Sequence, residues 1–125
     1  MNDNAIALRQ LLLSAPRETL PMTYQQVAST LGLTPPRTIA QVTQALEQLM
    51  HADAAQHQPF IAALVVSRRG EQLPAAGFFE LAVALGRFPK DPALHAEAYQ
   101  CEFQRALSVR DDSVPDESVR GKAQH

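Results

Sequence analysis

Residues 34–46 read TPPRTIAQVTQAL, and residues 22–33 before them read MTYQQVASTLGL. Together they spell two amphipathic helices joined by a tight turn, and this reading decides the fold. Thr23 is placed to cap the first helix, because its hydroxyl can accept an orphan amide of the first turn. Gln26, three residues on, completes a capping box. Val27 and Leu31 then share one face with Ala28 packed beside them. Gly32 stops the helix, since glycine enters the left-handed region without a Cβ clash. The second helix is expected to begin at Pro35 or Pro36, with Thr34 as its cap and a proline at the first helical position, where no amide is missed. Ile39, Val42, Leu46 and Leu49 follow at intervals of three and four, widened by Ala45 and Met50. That spacing predicts a buried stripe and a helix running to about Asp53.

Working outward, residues 4–13 (NAIALRQLLL) form a first helix with Ile6, Leu8, Leu11 and Leu12 on a broad apolar face. Pro16 interrupts it, and SAPRETLP is a loop. Beyond Pro59, the β-branched and apolar run from Ile61 to Val66 predicts a strand over 61–67. Arg68–Glu71 is then a turn, and Leu73 a short return strand that Pro74 limits. FFELAVALG, after Gly77, suits a short buried helix ended by Gly86. Asp91 and Pro92 open a capped helix to about Leu107. Phe78 and Phe79 cannot face the same way on a helix, so one fills the core and the other covers a neighbouring helix or a partner. The fold class expected is mainly α with a small β element, a winged-helix-like helix-turn-helix domain with added C-terminal helices. Residues 1–110 form one compact domain, and the polar, proline-broken stretch 111–125 reads as a disordered tail.

The chain of 125 residues fits one domain, and 46% of it is hydrophobic. Its one cysteine, Cys101, rules out an internal disulfide, which sets a reducing, cytoplasmic location as the expectation. The lone thiol sits in an apparent helix and is expected to be buried and inert. No apolar stretch reaches bilayer-spanning length, and the N-terminus lacks a basic leader, so neither membrane insertion nor a signal peptide is expected. The net charge of −2 argues against an avid, nonspecific nucleic-acid binder, because such affinity rests on lysine and arginine neutralising phosphates. His51 and His57 flank Asp53, and His95 and Cys101 lie six apart. Structural zinc needs four well-placed ligands, so no metal is expected. No Gly-rich phosphate loop, HExxH pair or nucleophile motif occurs, so neither catalysis nor a cofactor is expected.

The segment TYQQVA, the turn LGLTPP and the later IAALVV resemble the winged-helix DNA-binding domain of the O6-alkylguanine DNA alkyltransferases and the alkyltransferase-like proteins. The resemblance covers residues 22–70 and implies DNA binding, with Tyr24 near a phosphate. The family's catalytic chemistry does not carry over. Ala62 stands where the alkyl-accepting cysteine would be, Ala63 and Leu64 stand in place of its histidine and arginine, and Ala40 replaces the arginine that fills the space of a flipped base. The stretch PFIAALVVSRRGEQLPAAGFFELA also resembles small bacterial domains found beside restriction-type nucleases, through Leu64, Val65, Val66, Gly70, Pro74, Gly77 and Phe78. That likeness implies a domain class without a mechanism.

From these readings the candidate DNA-binding residues are Tyr24, Arg37, Thr38, Gln41, Gln44, Gln48, Arg68 and Arg69. Arg37 opens the second helix of the pair, where an arginine reaches base edges or phosphate. The three glutamines recur opposite the apolar stripe, although Glu47 adds repulsion toward phosphate. Arg68 and Arg69 sit where a wing places arginine beside the DNA backbone. The expectation is a noncatalytic protein that binds double-stranded DNA in regulation, repair or nucleic-acid defence. The alternative is a protein–protein interaction or structural module on the same scaffold, with a protein partner or self-association through the C-terminal helices.

Overall fold

The computed structural model describes residues 2–67 and 73–113, apart from the side chains of residues 112 and 113. Its central pair is α2 (Tyr24–Leu31) and α3 (Thr38–Ala55). The start of α2 is as the sequence predicts. The Thr23 Oγ1 accepts the Gln26 N–H at 3.1 Å, and the Gln26 Oε1 accepts the Thr23 N–H at 2.9 Å. Gly32 ends α2 in the left-handed region at φ 70°, and Val27 and Ala28 are buried.

The start of α3 differs from expectation. It begins at Thr38, and its N-cap is Arg37 in the left-handed conformation at φ 64°. Thr34 does not cap it, and neither proline is helical. The α region is sterically disfavoured for a residue that precedes proline, which counts against Pro35 as a helical residue. The connection therefore runs from Gly32 to Arg37. Farther along, Val42, Ala45, Leu46, Leu49 and Met50 are buried as the stripe predicts. Ile39 departs from it and is 41% exposed.

The helix α1 (Asp3–Ser14) packs on α3 and buries Ala5, Leu8 and Leu12, whereas Ile6 is exposed. A short 3-10 turn, Arg17–Thr19, follows it. The expected strand over 61–67 is mostly a 3-10 turn, Ile61–Leu64, followed by the two-residue strand β2 (Val65–Val66). A short apolar run does not distinguish a strand from a buried turn by periodicity. The partner of β2 is β1 (Met22–Thr23), and the two run parallel, with Met22 opposite Val65 and Thr23 opposite Val66. No return strand occurs among the described residues at Leu73. Its carbonyl accepts the Ser67 N–H at 2.8 Å.

Next comes α4 (Ala76–Ala84). Its Phe78 is buried, with edge contacts to Phe60, Phe88 and Tyr99. Phe79 stacks flat on His95, with ring centroids 5.3 Å apart, and so covers the next helix. That helix, α5 (His95–Ser113), follows a 3-10 turn that Asp91 caps. It runs past Leu107 and through the first residues of the stretch read as tail; residues 114–125 lie outside the described residues. Tyr99, Ala106 and Leu107 seal the core from α5, and the Tyr99 hydroxyl donates to the Ala63 carbonyl at 2.7 Å. Cys101, expected to be buried, is exposed on α5. The fold is thus mainly helical, with a small two-stranded parallel sheet. No helix among the described residues is long and apolar enough to cross a membrane.

Candidate nucleic-acid interface

The candidate residues on α3 lie along one stripe, because steps of four, three and four return to the same side of a helix. Arg37 and Gln44 are exposed; Thr38, Gln41 and Gln48 are half-buried. Gln41 is partly occupied within the chain. Its Nε2 donates to the carbonyls of Thr34 and Pro36, at 3.1 Å each, and so holds the connection onto the first turns of α3. Gln48 accepts the Asn2 N–H on Oε1 at 2.8 Å, which pins the start of α1. What stands free for a ligand is the N-terminal part of the stripe, Arg37 and Gln44, flanked by exposed Ile39, Ala40 and Glu47.

Tyr24 is not part of that surface. It is only 9% exposed, and its hydroxyl oxygen accepts the Ala75 N–H at 3.3 Å. Burial raises its pKa above the usual phenol value; the Ala75 N–H opposes that shift, and Glu47 adds to it. A side chain turned inward toward the start of α4 does not reach a phosphate. The sequence misleads here because the partner at Ala75 lies far along the chain. Arg68 and Arg69 lie outside the described residues.

Among the described residues, most basic groups pair with carboxylates of the chain, several of them distant in sequence. Arg9 pairs with Asp53 at 2.8 Å, and Arg87 with Glu102 at 2.8 Å. Arg105 lies 3.7 Å from the same Glu102. Arg110 meets Asp111 at 2.7 Å, and Arg17 also binds Asp111. Among the described residues, Arg37 and Lys90 are the cations that meet no carboxylate. Glu102 is the most engaged acid. It is buried, also accepts the Phe60 N–H at 2.7 Å, and holds Arg87 over the Phe60 ring, 4.3 Å from its centroid. The Arg9–Asp53 pair fixes α1 to α3, and among the described residues such pairs leave Arg37 and Lys90 as the cations open to a phosphate. No family model matches the chain, and no curated protein or solved structure is significantly similar to it.

Proposed function

We propose that this chain is a noncatalytic DNA-binding protein that presents the first half of α3 to a duplex. The observation that carries the reading is the exposure of Arg37 and Gln44 on one side of the N-terminal half of a helix that is buried on its other side. Recognition helices of helix-turn-helix proteins meet base edges with their N-terminal residues. Arginine there can bind guanine, and glutamine can bind adenine, each through two hydrogen bonds. In this reading the scaffold is winged-helix-like, and Arg68 and Arg69 supply the charge at a wing. The pairing of the other arginines among the described residues limits the strength: Arg37, Arg68 and Arg69 neutralise about three phosphates.

A salt titration of duplex binding tests this. Each neutralised phosphate contributes about −0.9 to the slope of log affinity against log salt, so the slope should be about −3. The R68E/R69E double variant should bind far more weakly at low salt; equal binding contradicts the wing assignment.

The second reading, a protein-interaction module, draws on exposed Ile39 and Glu47 on the same helix as Arg37. An apolar side chain and a carboxylate suit a protein partner better than a phosphate backbone. Ile39→Lys separates the two readings. It strengthens DNA binding in the first and breaks association in the second, as sedimentation velocity would report.

A further inference from the structure

At the far end of α3 the chain forms a cavity of about 180 Å³, lined by Arg9, Asp53, Ile61, Ala106, Val109 and Arg110, among others. Asp53 lies sixteen residues beyond Arg37, about 24 Å along the helix at 1.5 Å per residue, so the cavity is separate from the interface above. Its two guanidinium groups are unequally engaged. Arg110 is buried, and it uses Nε on the Leu12 carbonyl at 2.8 Å and Nη1 on Asp111 at 2.7 Å. Its Nη2 meets no acceptor among the described residues. No side-chain nitrogen or oxygen among them is both sealed from solvent and unpartnered, so this edge of the guanidinium remains accessible. Arg9 spends Nη2 on Asp53 and likewise keeps donors in reserve, since a guanidinium carries five N–H groups.

Among the described residues, the charged groups that line the cavity are the cations Arg9 and Arg110 and the carboxylate Asp53; Arg110 also pairs with Asp111. Asp53 is held within the chain on both oxygens, since Oδ1 takes Arg9 and Oδ2 takes the Ile61 N–H at 3.0 Å. Leu13, Ile61, Ala106 and Val109 supply the apolar part of the lining. A space of this size admits a molecule of about six heavy atoms, as a benzene-sized cavity does.

We propose that this cavity binds a small monocarboxylate with a short aliphatic tail, its carboxylate on the free edges of Arg110 and Arg9 and its tail against Ile61, Ala106 and Val109. Guanidinium groups match carboxylates in planar, two-bond geometry.

Sodium butyrate is the probe, with butyramide and inorganic phosphate as its neutral and tail-less counterparts at constant ionic strength. Amide chemical shifts in the full chain should move saturably with butyrate at millimolar concentration, and the moving residues should include Ile61, Ala106, Val109 and Arg110. Butyramide and phosphate should each bind at least tenfold more weakly. Val109→Asp places a negative charge on a side chain that is already 37% exposed, and it should weaken butyrate at least tenfold. Absence of saturable shifts with butyrate overturns the site. Equal binding of butyramide overturns the role of charge, and equal binding of phosphate overturns the role of the tail. Both comparisons use the wild-type chain and stand even if the variant fails to fold.

Discussion

Asp53 accepts Nη2 of Arg9 on Oδ1 at 2.8 Å, and this bond ties the last turn of α3 to the middle of α1. The other oxygen, Oδ2, accepts the N–H of Ile61, where the chain turns toward β2. Asp53→Ala removes both at once. A buried amide and a partly exposed guanidinium lose their partner, so the variant should be destabilised by about 3 kcal/mol, the lower end for a broken buried pair because Arg9 is 31% exposed. Urea unfolding measures it. A loss under 1 kcal/mol would mean that the clamp is ornamental.

Tyr24→Phe separates structure from binding. The Ala75 N–H loses its acceptor, and stability should fall by about 1–2 kcal/mol. Affinity for a DNA duplex should not change, since the hydroxyl faces inward. A drop in affinity larger than the loss of folded protein would return Tyr24 to the interface.

Arg37 pays a conformational cost at φ 64°, where a Cβ crowds the backbone. Arg37→Gly should raise stability by about 0.5–1 kcal/mol once the greater freedom of unfolded glycine is offset. The same variant should weaken DNA binding. Thermal melting and a binding assay on one preparation would show the two moving in opposite directions.

Tyr99 gives the fold a sensitivity to alkali. Burial raises its phenol well above the ordinary value, with a smaller contribution from Tyr24. An unfolded tyrosine ionises near pH 10, whereas the folded chain keeps this proton. Stability from the group is therefore complete below about pH 10 and falls as pH rises beyond it, by at most about 1.4 kcal/mol per unit. Tyr24 shifts in the same direction and adds to the effect. Tyr99→Phe should lower stability at neutral pH by about 1–3 kcal/mol through the lost bond to Ala63, yet show a shallower decline between pH 10 and 11.5. Parallel declines would contradict this.

The parts of the fold legible in the sequence were those set by neighbours along the chain. Thr23 with Gln26, Gly32, and the stripe from Val42 to Met50 each follow from local geometry, and each is where the spacing placed it. Contacts between distant segments were not legible. The pairing of Val65 with Met22, the bond from Ala75 to Tyr24, and the sharing of Glu102 between Phe60 and Arg87 leave no local trace. The same gap governs the candidate interface. The glutamine stripe was visible from its period. That Gln41 would fold back on Thr34 and Pro36 follows from the path of the connection just before α3, and that Arg9 and Arg87 would be spent on Asp53 and Glu102 was decided by tertiary packing.

The most direct test of DNA recognition by α3 is fluorescence anisotropy of a labelled duplex pool at low salt, comparing wild type with an Arg37→Glu/Gln44→Glu variant. Both side chains are exposed, so folding should be preserved and circular dichroism should be unchanged. We expect affinity to fall at least tenfold as two carboxylates face the phosphates. Unchanged affinity in the folded variant, or no binding by the wild type at low salt, would contradict the account.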